Sequence, residues 1–205
     1  MKIVIFGASG SVGEYLLREA LKRNHETVAV TRNTNHVTIQ GAGLHVAEAD
    51  LHDPSRLREA LHGADAAIIS LGDAVVATGT AAIVDAMRAT GVSRIEVLTG
   101  FGTSAQSRRQ LDPVMRSAVL GIRLLTHGSF AAKEEQDSIV RSSGLDYTIV
   151  QPPTLTHGPA TDTYRHGNYA GKSIFGDLSR ADLATFMLDN LDTPRYVNES
   201  AYVQS

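Results

Sequence analysis

The chain has 205 residues, of which 42% are hydrophobic and 20% are charged, so its composition is that of a folded protein rather than a disordered one. Its net charge of −3 argues against a duplex nucleic-acid binder, and its lack of cysteine excludes disulfides, thiolate catalysis and cysteine metal clusters. No apolar run approaches the roughly 18 residues of a membrane span, and the N-terminus has too short an apolar stretch for a signal peptide. We therefore expect one domain over residues 1–205 in a soluble, cytoplasmic protein with no nucleic-acid or membrane partner.

Short apolar runs and amphipathic segments alternate along the chain. In chain order, strands are predicted at residues 2–6, 27–30, 44–47, 66–69, 94–98 and 147–150, with an edge strand at 199–203. Helices are predicted from Val12, from Pro54, and at residues 80–89, 129–142 and 179–191, and residues 102–128 are predicted to form a lid with a short helix at 113–120. This alternation predicts an α/β fold, a doubly wound parallel sheet flanked by helices, with ligands at the carboxyl ends of the strands.

The first strand runs into a glycine-rich turn with the spacing G-x-x-G-x-x-G, at Gly7, Gly10 and Gly13. Gly7 lets the chain turn sharply, Gly10 lets the backbone approach a pyrophosphate, and Gly13 lets the following helix pack close to the sheet. This context favours a dinucleotide-binding loop over a tight turn with no ligand. The backbone amides expected to face an anion at the positive end of the helix are those of Ser9, Gly10, Ser11 and Val12.

The second strand ends at Thr31 and Arg32, where an NAD site would have an acidic residue for the ribose 2′-hydroxyl. A carboxylate would repel a 2′-phosphate, whereas a guanidinium can bind it with two hydrogen bonds and stack on adenine. Arg32 therefore favours NADP(H) over NAD(H). The alternative is a solvated surface arginine.

Two aspartates follow the third strand in the segment Asp50-Leu51-His52-Asp53. A carboxylate at a strand end can accept a hydrogen bond from the adenine amino group, and the next amide can meet the ring edge. We expect Asp50 and Leu51 to contact adenine and Asp53 to cap the helix that begins near Pro54.

Three segments resemble the atypical short-chain dehydrogenase/reductases with an NAD(P)H-binding domain: GASGSVG, ADLHD and AAKEEQDSIVRSSGLDYTIVQPP. The short length and Arg32 are most similar to the biliverdin reductase B or flavin reductase-like group, although the family usually has arginine at the position of Gln151. The resemblance implies a single-domain Rossmann-type fold. It also implies that the cofactor lies among Gly7, Gly10, Ser11, Val12, Arg32, Asp50, Leu51, Leu71 and Gly72, with Thr99 and Pro152 near the nicotinamide.

This sequence matches the catalytic residues of that family less well than it matches the cofactor-binding residues. Many relatives carry Tyr-x-x-x-Lys, and the SGLDYT segment places the lysine at Lys133, with Ser129 in the tyrosine position. The hydroxyl pair after the fifth strand reads Thr99-Gly100, so its second hydroxyl is missing. The resemblance therefore implies that Lys133 contacts the cofactor ribose and that Thr99 donates one hydrogen bond, but not a tyrosine-dependent alcohol oxidation.

Other residues have both functional and structural interpretations. His157 could donate a proton near neutral pH or lie on a surface loop. Arg108 and Arg109 could attract an acidic substrate or simply be solvated. No pair of histidines has the helical spacing of a metal site. Three residues could form an apolar surface beneath a planar substrate, or they could belong to the core. They are Phe101, Met115 and Phe175.

These observations together predict an NADP(H)-dependent oxidoreductase that passes hydride to a small planar acceptor, such as a flavin or quinone. The proton would come from solvent or His157, and the cofactor would carry the chemistry. The alternative is a non-catalytic NADP(H) sensor of the NmrA-like kind. A sugar-nucleotide epimerase is disfavoured because the region after Pro153 is short.

Overall fold

The computed structural model describes residues 1–205, and these form ten strands and seven α-helices. The strands are β1 (Lys2–Phe6), β2 (Glu26–Thr31), β3 (Leu44–Glu48), β4 (Ala66–Ile69), β5 (Arg94–Leu98), β6 (Asp146–Gln151), β7 (Thr154–Thr156), β8 (Arg165–Gly167), β9 (Asp177–Ser179) and β10 (Glu199–Gln204). The helices are α1 (Gly13–Lys22), α2 (Pro54–Leu61), α3 (Val76–Thr90), α4 (Ala105–Arg108), α5 (Pro113–Leu125), α6 (His127–Arg141) and α7 (Arg180–Asp192). A short 3₁₀ helix lies at Thr34–His36.

Eight strands form one central sheet in the order β3-β2-β1-β4-β5-β6-β10-β8, and β7 pairs with β9 in a separate two-stranded sheet. All neighbours in the central sheet are parallel except the β10–β8 pair. The predicted doubly wound Rossmann-type α/β fold is therefore confirmed. The carboxyl ends of β1, β2 and β4 lie at one edge of the sheet, which is where the candidate site is found.

The apolar strands are buried on both faces because their side chains alternate between two helical layers. In β1, Ile3 and Ile5 join the core beneath α1 and α7, whereas Val4 and Phe6 join the core beneath α2, α3 and α6. The period of two in a strand accounts for this division. In α7, the predicted apolar face is buried in the first core and consists of Leu183, Phe186, Met187 and Leu191.

Side-chain caps fix the starts of several helices. The Asp53 carboxylate accepts the amides of Ser55 and Arg56 at 3.0 and 3.1 Å, which confirms its predicted capping role at α2. The Ser179 hydroxyl accepts the amide of Asp182 at 2.9 Å and caps α7. Proline occupies the first position of both α2 and α5, where its missing N–H removes no helical hydrogen bond.

The structure corrects the predicted edge strand near the C-terminus. β10 lies inside the sheet, parallel to β6 and antiparallel to β8, so β8 is the edge. β8 has only three residues, Arg165, His166 and Gly167, and no apolar pattern. Its strand geometry depends on its pairing with Tyr202, Val203 and Gln204 of β10, which no local sequence signal shows.

The predicted lid contains α4, α5 and the start of α6. α5 continues to Leu125, five residues beyond its predicted end. One side of α5 covers a small third core in which Val119 is fully buried, together with Phe101, Leu111, Phe130 and Tyr202. None of the helices is both long enough and apolar enough to cross a membrane.

Candidate functional site

The glycine loop between β1 and α1 has two glycines that the fold itself requires. Gly7 has a φ of +82°, and a Cβ there would collide with the carbonyl group of Ser70. A Cβ on Gly13 would collide with the Gly7 carbonyl oxygen and lie 2.5 Å from that of Ala8. Gly7 and Gly13 therefore let α1 begin close against the end of β4 and the loop backbone.

Gly10 differs from these two glycines. A Cβ at Gly10 would meet a single neighbour, the Gly7 carbonyl oxygen at 3.1 Å. A side chain at this position therefore requires a small shift of the loop backbone, a lesser conflict than at Gly7 or Gly13. The added methyl group would occupy space beside the loop, where a ligand could otherwise approach the backbone.

Some backbone amides of the loop donate hydrogen bonds within the chain, and others have no acceptor there. The Gly10 amide donates to the Gly7 carbonyl at 2.9 Å, so the expectation that it faces an anion is wrong. The Ser11 and Val12 amides have no acceptor in the chain, and no side chain caps α1. Two free N–H groups at the positive end of α1 suit a phosphate oxygen.

A cavity of about 480 Å³ opens beside the glycine loop, and we call it the loop cavity. It lies at the carboxyl ends of the first four strands. Eight predicted cofactor residues line it: Gly7, Ser9, Gly10, Arg32, Asp50, Leu51, Leu71 and Gly72. The fold thus brings together residues that lie up to 65 positions apart in the sequence, from Gly7 to Gly72.

Arg32 lies exposed at the mouth of the loop cavity, and its guanidinium forms no hydrogen bond or ion pair within the chain. The neighbouring Thr31 hydroxyl lies 3.2 Å from the Ser9 hydroxyl and accepts the Asn33 amide at 3.2 Å. These contacts tie the end of β2 to the glycine loop. The arrangement leaves a free cation beside the loop.

Asp50 and Leu51 lie where the sequence predicted an adenine contact. One Asp50 carboxylate oxygen accepts the His52 amide at 2.8 Å, which leaves the other without a partner in the chain. The Leu51 amide also has no acceptor in the chain. An acceptor and a donor are therefore open at this wall of the loop cavity.

Gly79 supports this wall and was missed by the sequence analysis. It lies in the first turn of α3, where a Cβ would lie 2.7 Å from Leu51 Cδ1 and 2.8 Å from Leu71 Cδ1. Because Gly79 has no side chain, the side chains of Leu51 and Leu71 can both pack directly against the backbone of α3. The signal was a glycine just before the predicted helix, which was expected to begin at Thr80.

A second cavity of about 820 Å³ lies beneath α5 and α6, and we call it the lid cavity. Thr99, Lys133 and Pro152 line it, and so does Ser129 one helical turn before Lys133. Gly72 lines the loop cavity and the next residue, Asp73, lines the lid cavity. The loop between β4 and α3 therefore contributes consecutive residues to the two cavities.

Asp73 is a second residue that the sequence analysis missed. Its carboxylate lies 3.3 Å from the Lys133 ammonium group, and both side chains are partly exposed. The Thr99 hydroxyl, in the lining of the same cavity, donates to the Val150 carbonyl at 3.4 Å. Asp73 lies in an irregular turn that matches no motif, so only the fold shows that it reaches Lys133.

Several candidate residues are not brought to the lid cavity. His157 is exposed and follows β7, which pairs with β9 and carries the chain toward Ser179 at the start of α7. Arg108 donates to the Gly102 carbonyl at 2.9 Å and pairs with Glu134 at 2.7 Å. These positions do not support His157 as the proton donor or Arg108 as an anchor for an acidic substrate.

The three predicted apolar residues lie at different depths. Phe101 is buried against Tyr202, with ring centroids 4.7 Å apart, and it lines the lid cavity. Phe175 lines the rim and is 77% exposed. Met115 packs behind the wall, where its sulfur lies 3.4 Å from the Ile174 amide nitrogen.

The fold, the glycine loop and the adjoining cavities define a Rossmann-type dinucleotide-binding protein. A family model described as NAD(P)H-binding matches residues 7–194, so the chain belongs to the NAD(P)H-binding family. This result confirms the resemblance to the atypical short-chain dehydrogenase/reductases.

Three known proteins illustrate the relationship. The chain is 23% identical over 225 aligned residues to a phenylcoumaran benzylic ether reductase of Ginkgo biloba, covering 99% of this chain and 69% of that protein. ChuY of Escherichia coli O157:H7, an anaerobillin reductase, is 25% identical with a TM-score of 0.81, covering 100% of this chain and 97% of ChuY. A short-chain dehydrogenase/reductase of Veillonella parvula, solved in complex with NADP, is 18% identical with a TM-score of 0.79, covering 100% and 94% of the two chains.

Proposed function

We propose that the protein is an NADP(H)-dependent reductase that transfers hydride to a small planar acceptor of the flavin or quinone type. One observation carries this proposal: the loop cavity, which has the features of a dinucleotide site, and the lid cavity are lined by consecutive residues, Gly72 and Asp73, of the loop between β4 and α3. A dinucleotide is long enough to extend from one cavity toward the other. An acceptor in the lid cavity would then lie next to its redox-active end.

The choice of NADP(H) rests on the free cation at the end of β2. Arg32 has no partner in the chain, and no carboxylate stands at its position or at Thr31. A 2′-phosphate would therefore meet an uncompensated guanidinium. The Veillonella parvula neighbour with the same fold binds NADP, which supports this choice.

The proposed reaction needs no side chain to supply the hydride or the proton. When bound, the reduced nicotinamide supplies one hydride, and the acceptor takes that hydride and one proton. Lys133 is proposed to hold the ribose and Thr99 to contact the nicotinamide, and both line the lid cavity together with Pro152. Because no tyrosine or histidine lines the lid cavity, the proton is proposed to come from water in its open mouth.

The relatives support reduction as the reaction class. The names of the Ginkgo biloba relative and of ChuY both denote reductases. Their acceptors differ, since one is a phenylcoumaran benzylic ether and the other an anaerobillin. The reaction class therefore has more support than any particular acceptor.

The direct test is to follow the loss of reduced-nicotinamide absorbance when the protein is mixed with NADPH and either riboflavin or menadione. We expect multiple turnovers with at least one of these acceptors, and faster turnover with NADPH than with NADH. Absence of oxidation with every flavin and quinone would contradict a reductase.

A specific observation favours the second candidate, a non-catalytic NADP(H) sensor. Ser129 and Gly100 stand where family members carry reactive hydroxyl groups, and both line the lid cavity. Tight NADPH binding without oxidation by any acceptor, together with a partner protein retained only when NADPH is present, would support the sensor instead.

A further inference from the structure

We infer that the lid cavity selects acceptors that carry no net charge. The inference rests on the proposed reductase function and narrows its substrate class. We expect the cavity to favour a neutral flavin or quinone over acceptors that bear phosphate or carboxylate groups.

The first observation is the set of charges in the cavity wall. Sixteen residues line the cavity, and among them the charged side chains are Asp73 and Lys133. These two lie 3.3 Å apart and neutralise each other. An anionic acceptor would therefore find no free cation, and a cationic acceptor would find no free carboxylate.

The second observation concerns the arginines of the lid segment. Arg108 and Arg123 both pair with Glu134, at 2.7 and 3.1 Å. Arg116 donates to the carbonyl groups of Arg109 and Leu111 at 3.1 and 3.2 Å. The Arg109 side chain is exposed, and none of the four arginines lines the lid cavity.

The third observation is the chemistry of the remaining wall. Five hydroxyl-bearing residues line part of it: Thr99, Thr103, Thr126, Ser129 and Thr154. Six larger apolar side chains line the rest: Phe101, Ile122, Phe130, Leu155, Ile174 and Phe175. A phosphate or carboxylate group entering this cavity would lose hydration without gaining an opposite charge, whereas a neutral ring would bury apolar surface.

Riboflavin and flavin mononucleotide test the inference because they share one redox-active ring and differ by a terminal phosphate. In both reactions, NADPH gives one hydride and water one proton, which yields NADP⁺ and the dihydroflavin. We expect kcat/KM to be at least about fivefold higher for riboflavin than for flavin mononucleotide, the scale of one uncompensated charge near the surface. Equal values, or a preference for flavin mononucleotide, would overturn the inference.

Binding measured without turnover separates this inference from the proposed function. Quenching of flavin fluorescence by the NADP⁺-loaded protein should show tighter binding of riboflavin than of its phosphate. If riboflavin binds preferentially but NADPH is not oxidised, the reductase proposal fails and charge selection stands. If NADPH is oxidised without preference, or if neither flavin binds, the inference fails.

Two variants change the charge of the wall in a known direction. Asp73→Asn leaves the Lys133 ammonium without its counter-charge, so the preference for riboflavin should fall by about fivefold. Ser129→Lys adds a cation at an exposed rim position and should act in the same direction even if Asp73→Asn fails to fold. Asp85→Asn makes the same chemical change on the outer face of α3 and should leave the ratio unchanged. Unchanged ratios in both cavity variants would overturn the inference.

Discussion

Arg32 is the side chain on which the proposed cofactor preference depends. We predict that Arg32→Ala weakens NADPH binding by about 1.5–3 kcal/mol, the usual worth of a charged hydrogen bond, and leaves NADH binding nearly unchanged. Titration of the variant with each cofactor measures both effects.

Arg56→Ala is a suitable control for Arg32→Ala, because Arg56 is an exposed arginine that pairs with Glu59 on α2. It should leave both affinities as they are. Equal losses for NADPH and NADH in the Arg32 variant would show that Arg32 does not touch the 2′-phosphate.

Glu96 provides a residue-scale prediction about stability rather than function. It is fully buried in β5, where its carboxylate lies 2.8 Å from the Arg94 guanidinium and accepts a hydrogen bond from the Asn190 amide at 2.6 Å. Burial raises the pKa of Glu96 to about 8, although the Arg94 charge and the Asn190 hydrogen bond oppose that rise. The folded state therefore holds this proton at pH values where the unfolded chain has released it.

The sign of the pH dependence follows from this difference. The stabilisation linked to the Glu96 proton is complete below the ordinary carboxyl pKa of about 4.3 and is lost as pH rises through about 8. We predict that the free energy of unfolding in urea falls by a few kcal/mol across this range in the wild type. Glu96→Gln, which cannot ionise, should show a clearly weaker decline, and equal slopes for the two proteins would contradict the assignment.

The glycine loop allows a matched comparison at the scale of one element. Gly13→Ala should destabilise the fold because its Cβ would collide with the loop backbone, whereas Gly10→Ala should cost clearly less stability because its single close contact is at 3.1 Å. Gly10→Ala should instead weaken NADPH binding by about tenfold or more, since its methyl group would occupy the approach to the backbone. Thermal unfolding and calorimetric titration of both variants measure the two effects. A Gly10→Ala protein with full affinity would show that no ligand approaches this backbone closely.

The elements that the sequence predicted well are those with a strong local signal. β1 and β4 are apolar runs with exact bounds, and the start of α2 is set by Asp53 and Pro54. α3 begins four residues before its predicted start because Val75, its N-cap, has no side-chain hydrogen bond to signal the boundary. The start of a helix was therefore predictable where a side-chain cap marks it, as at α2, and was not predictable at α3, which has no such cap.

The parts that could not be predicted depend on contacts between distant segments. β7, β8 and β9 have three residues each, too few for an alternating pattern to be recognised. The loop-cavity residues were predictable because their motifs follow strand ends. Asp73 and Gly79 were not, because their roles come from Lys133 and from two leucine side chains.

At the scale of the whole molecule, the parallel sheet determines where the site lies. The strand order places β1, β2 and β4 side by side, so the glycine loop, Arg32 and Leu71 converge at one edge. The lid cavity continues along the same edge past β5 and β6. The proposed function therefore requires that a dinucleotide in the loop cavity extend to an acceptor in the lid cavity.

The most direct test is calorimetric titration of the wild-type protein with NADPH and, separately, with NADH. We predict saturable binding of NADPH to one site per chain, with a Kd at least about tenfold lower than that for NADH, consistent with the worth of one phosphate–arginine contact. Absence of binding heat for both cofactors at several temperatures would contradict the account.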